Sequence, residues 1–160
     1  MHQRAEDLIS ELQLEPHPEG GYFREIFRSP HKVQRLDDGA ARSALTTIYF
    51  LLTRGQHGRW HRVASDEAWH FYEGDPLELY WIEGRDVVHR EVLGSATPDA
   101  HPVCVVPAGC WQAARSLGEY SLVGCTVAPG FEFQDFEMLA AGSAELAHIT
   151  SLGATLAELV

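Results

Sequence analysis

Three histidines, His57, His61 and His70, stand close together in the chain, and a carboxylate, Glu67, lies between the last two. Neutral imidazole near pH 7 can take or give a proton. Imidazole and carboxylate are also the commonest ligands of transition metals. On an extended strand, residues two apart share a face. His57, Arg59, His61 and Val63 are therefore expected on one face, and Gly58, Trp60 and Arg62 on the other. His17 and Glu19 flank Pro18 just ahead of Gly20-Gly21. The glycine pair supplies backbone angles closed to other residues, which would let this segment form a lip bringing His17 and Glu19 to a pocket mouth. Arg24, Arg28, Arg42 and Arg59 stand out in an acidic chain. An inward-facing guanidinium would hold a carboxylate or phosphate bidentately, with Arg24 and Arg59 the candidates for ligand binding. Trp111 and Gln112 follow a Pro107-Ala108-Gly109 turn and are candidate walls of a ligand slot. Phe131, Phe133 and Phe136 read as packing or as a dimer seam.

The elements that must carry these groups are mostly strands. Leu8, Ile9 and Leu12 fit one face of a helix over Ala5–Leu14, which Pro16 and Pro18 end. Nine short strands are then expected: Tyr22–Arg28, Arg42–Leu52, Trp60–Val63, Ala68–Tyr72, Leu77–Ile82, Val87–Leu93, Val103–Val106, Trp111–Arg115 and Ser121–Val127. Their even spacing and turn signals, such as Glu73-Gly74-Asp75-Pro76, are those of a sandwich or barrel. Residues 30–41 read as an exposed loop. Ser143 is placed to cap a short helix through Ile149, with a second near Ala154–Leu159.

The 160 residues suit one domain, with its core over residues 12–137. The 23 acidic against 12 basic residues give a net charge of −11. Nucleic-acid binding needs a basic excess and is not expected. No apolar run is long enough for a membrane helix. Three cysteines with no C-x-x-C pair suit reduced thiols in the cytoplasm. No phosphate-binding glycine loop is present.

Gly55, His61, Val63, Glu67 and Gly74 have the spacing of the first cupin motif, and Pro107, Gly109 and Gln112 that of the second. The segments Pro16–Glu25, Arg42–Leu52, Trp60–Val63 with Asp66-Glu67, Trp69-His70, and Pro107–Gly109 with Trp111-Gln112 are similar to one family of short cupins. The resemblance implies an all-β double-stranded β-helix, the cupin jelly-roll barrel, with short terminal helices, often paired as a homodimer. General cupins hold a metal with three imidazoles and one carboxylate. Here position 63 is Val and position 112 is Gln, so the retained set would be His61, Glu67 and Gln112, with His57 or His70 completing it around a divalent transition metal. Metal-poor cupins are similar to epimerases that use a histidine base and a tyrosine acid. That analogy implies His61 or His70 as base, Glu67 to orient it, and Tyr49 or Tyr72 to return the proton. The expected function is binding of a small polar or anionic metabolite with epimerase-like acid–base chemistry. A metal-dependent isomerase or dioxygenase and a non-catalytic binding module are the alternatives.

Overall fold

The computed structural model describes residues 1–160. Helix α1 spans Gln3–Glu11 and buries Ala5 and Leu8. It ends earlier than the apolar spacing suggests because Gln13 turns the chain with a left-handed φ of 54°. Two antiparallel sheets follow. The larger runs β1 (Glu15–Pro16), β2 (Tyr22–Arg28), β5 (Thr46–Thr53), β12 (Tyr120–Ala128), β7 (Asp66–Gly74), β10 (Val103–Val106). The smaller runs β13 (Phe136–Met138), β6 (His57–Val63), β11 (Trp111–Ser116), β8 (Leu77–Glu83), β9 (Val87–Leu93). Successive strands β5, β6, β7 and β8 alternate between the sheets, which is the winding of a double-stranded β-helix.

Side-chain alternation along each strand sets the layers. Phe50, Leu52, Trp69, Leu77, Leu79, Leu93 and Val123 point inward and fill the space between the sheets. The outer face of the smaller sheet carries Trp60, Tyr80, Ile82 and Trp111, covered by Ile149 of α2 (Ala144–Ser151) and Leu156 of α3 (Ala154–Ala157). Ser143 does cap α2, its Oγ accepting from the Leu146 N–H at 3.1 Å. Helix α1 covers Leu51, Tyr120 and Leu122 on the outer face of the larger sheet. No helix is long and apolar enough to cross a membrane.

Two local expectations change. The strand expected over Arg42–Leu52 is two, β4 (Ala41–Ser43) and β5, and the segment expected as a loop holds β3 (Lys32–Gln34), which pairs with β4 as a hairpin. Arg42 fastens that hairpin to the chain's far end. Its guanidinium donates two bonds to Asp135, at 2.6 and 2.8 Å. The partners are over ninety residues apart, so no local pattern announces the pairing.

Candidate functional site

The core does not fill the barrel evenly. Where β5 and β7 begin and β6 and β12 end, a cavity of about 90 Å³ remains. That is smaller than the roughly 150 Å³ that admits a benzene ring, so its closed end suits a group of a few heavy atoms. His17, Glu19, His61 and Glu67 supply its chemistry, with Cys125 beside them.

Glu19 reaches the cavity because the segment after Pro18 lies hard against β6. Gly20 has a φ of +118°, and a Cβ there would run into the backbone oxygen of His57. Gly58 faces the Glu19 carboxyl, and a Cβ on it would stand 3.1 Å from Glu19 Oε1. Arg59 ties the lip down from outside. Its backbone N–H donates to the Glu19 carbonyl at 3.0 Å, and its guanidinium to the Pro18 carbonyl at 2.6 Å.

His61 faces inward through a β-bulge. Gln112 pairs with His61 and Ala114 with Gly58, so Arg59 and Trp60 together oppose Ala113. The extra residue flips the alternation. His61 and Val63 line the cavity, but His57 and Arg59 do not share their face as a regular strand would require. The His61 ring is 2 % exposed and its Nδ1 lies 2.7 Å from the Arg59 carbonyl. Nδ1 must therefore carry the proton, which leaves a bare lone pair on Nε2. That Nε2 is 3.2 Å from Glu19 Oε2.

Burial decides the protonation of this pair. It lowers His61 to about 4, with only the Arg59 carbonyl opposing. It raises Glu19 well above the usual carboxyl range, and the nearby Glu67 charge adds to the effect. Burial thus favours the uncharged form of each group, and the two stand in contact at 3.2 Å. His17 is also lowered to about 4, by burial and then by His61. Its Nδ1 accepts the Glu19 backbone N–H at 3.3 Å, and its ring packs edge-on against Phe23, Phe50 and Phe136.

Glu67 begins β7 and points inward. Gln112 donates its amide N–H to Glu67 Oε2, while Trp69 Nε1 donates to Gln112 Oε1 at 3.1 Å. Burial raises Glu67 to about 7, offset in part by the bonds from Gln112 and Cys125. A carboxyl with a folded value near 7 and an ordinary value of 4.5 adds stability below the ordinary value and loses it as pH rises through 7. Glu67→Gln keeps the Gln112 bond and removes the buried charge. We expect it to stabilise the protein by about 3 kcal/mol near pH 8 and by almost nothing near pH 4. Denaturant titrations of both proteins at the two pH values check this. An advantage that does not grow with pH contradicts it.

Several expected site residues lie elsewhere. Tyr49 and His70 sit opposite Gly124 on neighbouring strands, and Tyr72 packs edge-on against Tyr49 at 6.0 Å. All three belong to the outer face of the larger sheet, because inward positions on β5 and β7 are taken by Phe50 and Trp69. They are not placed to move a proton in the cavity. Arg24 is also outside, donating to the Leu12 carbonyl at 3.1 Å. Arg59 is exposed and spent on the lip. Trp111 packs beneath α2 and donates to Glu145 at 3.1 Å. Conversely, Phe131, Phe133 and Phe136 line the cavity instead of forming a mere packing series. Their aromatic spacing was the available signal. Only Arg28 among the arginines lines the cavity.

The donor set does not fit the expected metal. The Gln112 oxygen is taken by Trp69, Val63 offers nothing, and His61 Nε2 stands 3.2 Å from Glu19 Oε2. No three His, Cys, Asp or Glu side chains are arranged to hold a metal ion. Gln112 positions Glu67 instead of acting as a ligand.

Two facing antiparallel sheets, wound as a double-stranded β-helix with a pocket at one end, define a cupin-type barrel. The chain belongs to the family described as Cupin superfamily (DUF985), whose model matches residues 6–139. It is 29 % identical over 159 residues to the uncharacterized protein YML079W of Saccharomyces cerevisiae, covering 90 % of this chain and 79 % of that one. Protein SO0799 of Shewanella oneidensis superposes with a TM-score of 0.85 at 36 % identity, over 97 % of this chain and 96 % of that one. A hypothetical protein from Leishmania major superposes with a TM-score of 0.82, also at 36 % identity and with the same coverage. Oxalate decarboxylase of Bacillus subtilis shares 15 % identity and a TM-score of 0.58, over 85 % of this chain and 33 % of its own, which is likeness of fold alone.

Proposed function

We propose that the cavity binds a small polar molecule and moves a proton on it, in the manner of an isomerase or epimerase. The observation that carries this reading is the buried Glu19–His61 pair, 3.2 Å apart in a cavity of about 90 Å³. The free oxygen of the Glu19 carboxyl takes a proton from a carbon beside the ligand's carbonyl. The proton already on Glu19 passes to His61 Nε2. The products are an enolate, a neutral Glu19 and an imidazolium, and charge balances. Reversal returns a proton to the same carbon or its neighbour. The pair thus does what His61 and Glu67 were expected to do, with Glu19 in direct contact with His61. Low dielectric in the cavity strengthens the attraction between imidazolium and enolate. Three free cysteines fit a reducing, cytoplasmic compartment.

Solvent exchange tests the reaction without the true substrate. Small carbonyl compounds are incubated with the protein in deuterium oxide and followed by proton NMR. Loss of the carbon-bound proton signal next to the carbonyl supports the reading. Binding at the cavity with no exchange across the panel would favour a non-catalytic binding module.

A further inference from the structure

The cavity is short of positive charge and of hydrogen-bond donors. Four carboxyls line it, Glu19, Glu25, Glu67 and Glu132, against one guanidinium, Arg28. Arg28 is already committed. It donates to Glu25 at 2.8 and 2.9 Å, to Glu132 at 2.7 Å and to the Phe131 carbonyl at 3.1 Å. Arg28 with its two carboxylates still carries a net negative charge, and an anion entering here meets no free cation.

Glu19 is the most deeply placed acceptor in that count. Glu19 is 5 % exposed, yet no protein group donates a hydrogen bond to its carboxyl oxygens. His61 Nε2 and His17 Nδ1, the ring atoms nearest to it, are both acceptors, because His61 Nδ1 is committed to Arg59 and His17 Nδ1 to the Glu19 N–H. Glu19 lines the cavity, where a ligand N–H can reach its carboxyl. Five phenylalanines, Phe23, Phe50, Phe131, Phe133 and Phe136, share the remaining wall with Ile48, Val63 and Val127. Aromatic rings attract cations more strongly where water is excluded. The chain's net charge of −11 adds a long-range pull on cations.

We infer that the ligand carries a protonated amine, seated among these phenylalanines beside the Glu19 carboxyl, with its N–H groups donating to Glu67. This rests on the reading of the cavity as a small-ligand site and replaces the expected anionic metabolite with an ammonium compound. The carboxyls at the mouth, Glu25 and Glu132, favour entry of the same charge.

The test uses three probes of one size and different charge: propylammonium, propanol and propanoate. Each is titrated near pH 7 into the protein, following the methyl signals of Ile48, Val63 and Val127, which line the cavity. Propylammonium is expected to bind about tenfold or more tighter than propanol, with propanoate weakest. Glu67→Gln should bring propylammonium to within about twofold of propanol and leave propanol unchanged. Glu132→Gln, at the mouth and away from the buried pair, should weaken propylammonium alone by a smaller factor. Propanol binding as tightly as propylammonium, or propanoate binding tightest, overturns the amine while leaving the ligand site standing. Methyl signals unmoved by all three overturn the ligand site as well.

Discussion

Glu19→Gln is expected to slow carbon–deuterium exchange by about a hundredfold or more, the usual contribution of one acid–base group. The amide is nearly isosteric, so the lip and the cavity survive, but it cannot take a proton from carbon and pass another to His61. His61→Ala should cost about as much, because Glu19 then has nowhere to send its proton. The double variant should be little worse than either single one, since the two act as a unit. The wild-type rate should be flat near neutral pH and fall as pH drops through about 4, where His61 becomes an imidazolium. Rates from proton NMR on the three variants check each statement. Full activity in Glu19→Gln would remove Glu19 from the chemistry.

Gly20→Ala should be among the most damaging single changes in the chain. The residue sits at a φ of +118°, where an L side chain is strained, and its new Cβ would meet the His57 backbone oxygen. Strain and overpacking each cost about 1 to 3 kcal/mol, so a loss of about 2 to 6 kcal/mol is expected. The segment can relieve the clash only by lifting off β6, which draws Glu19 away from His61. Exchange activity should therefore fall even in the fraction that remains folded. Gly39→Ala is the control. Its φ is +70°, but nothing lies within 4 Å of the new Cβ, so only the backbone strain remains, about 1 kcal/mol. Urea titrations of both variants decide the matter. Equal losses would show that close packing of the lip contributes nothing.

The barrel was legible in the sequence because strand alternation is a local signal. Leu77, Leu79 and Trp81 against Glu78, Tyr80 and Ile82 gives β8 and both its faces, and the cupin spacings gave the winding of the sheets. The site was legible in part. His61 and Glu67 line the cavity together, and His17 and Glu19 reach it across the Gly20-Gly21 lip. What failed was parity. The bulge at Arg59-Trp60 turned His57 and Arg59 away, and no residue type in that stretch marks it. His70, Tyr49 and Tyr72 were judged by chemistry alone, while their positions beside Phe50 and Trp69 put them on the other face. The Glu19–His61 contact joins residues forty-two positions apart and depends on two glycines lying flat on a strand, a tertiary fact with only the Gly-Gly pair to hint at it.

The central claim is that Glu19 passes a proton to a neutral His61 whose Nδ1 holds the Arg59 carbonyl. Nitrogen-15 NMR of the histidine rings measures this directly. The structure predicts that His61 shows a protonated Nδ1 and a bare Nε2 throughout the range from about pH 5 to pH 8, with Nε2 shifting in Glu19→Gln. A His61 ring that carries its proton on Nε2, or that titrates near the ordinary histidine value of 6.5, would contradict it.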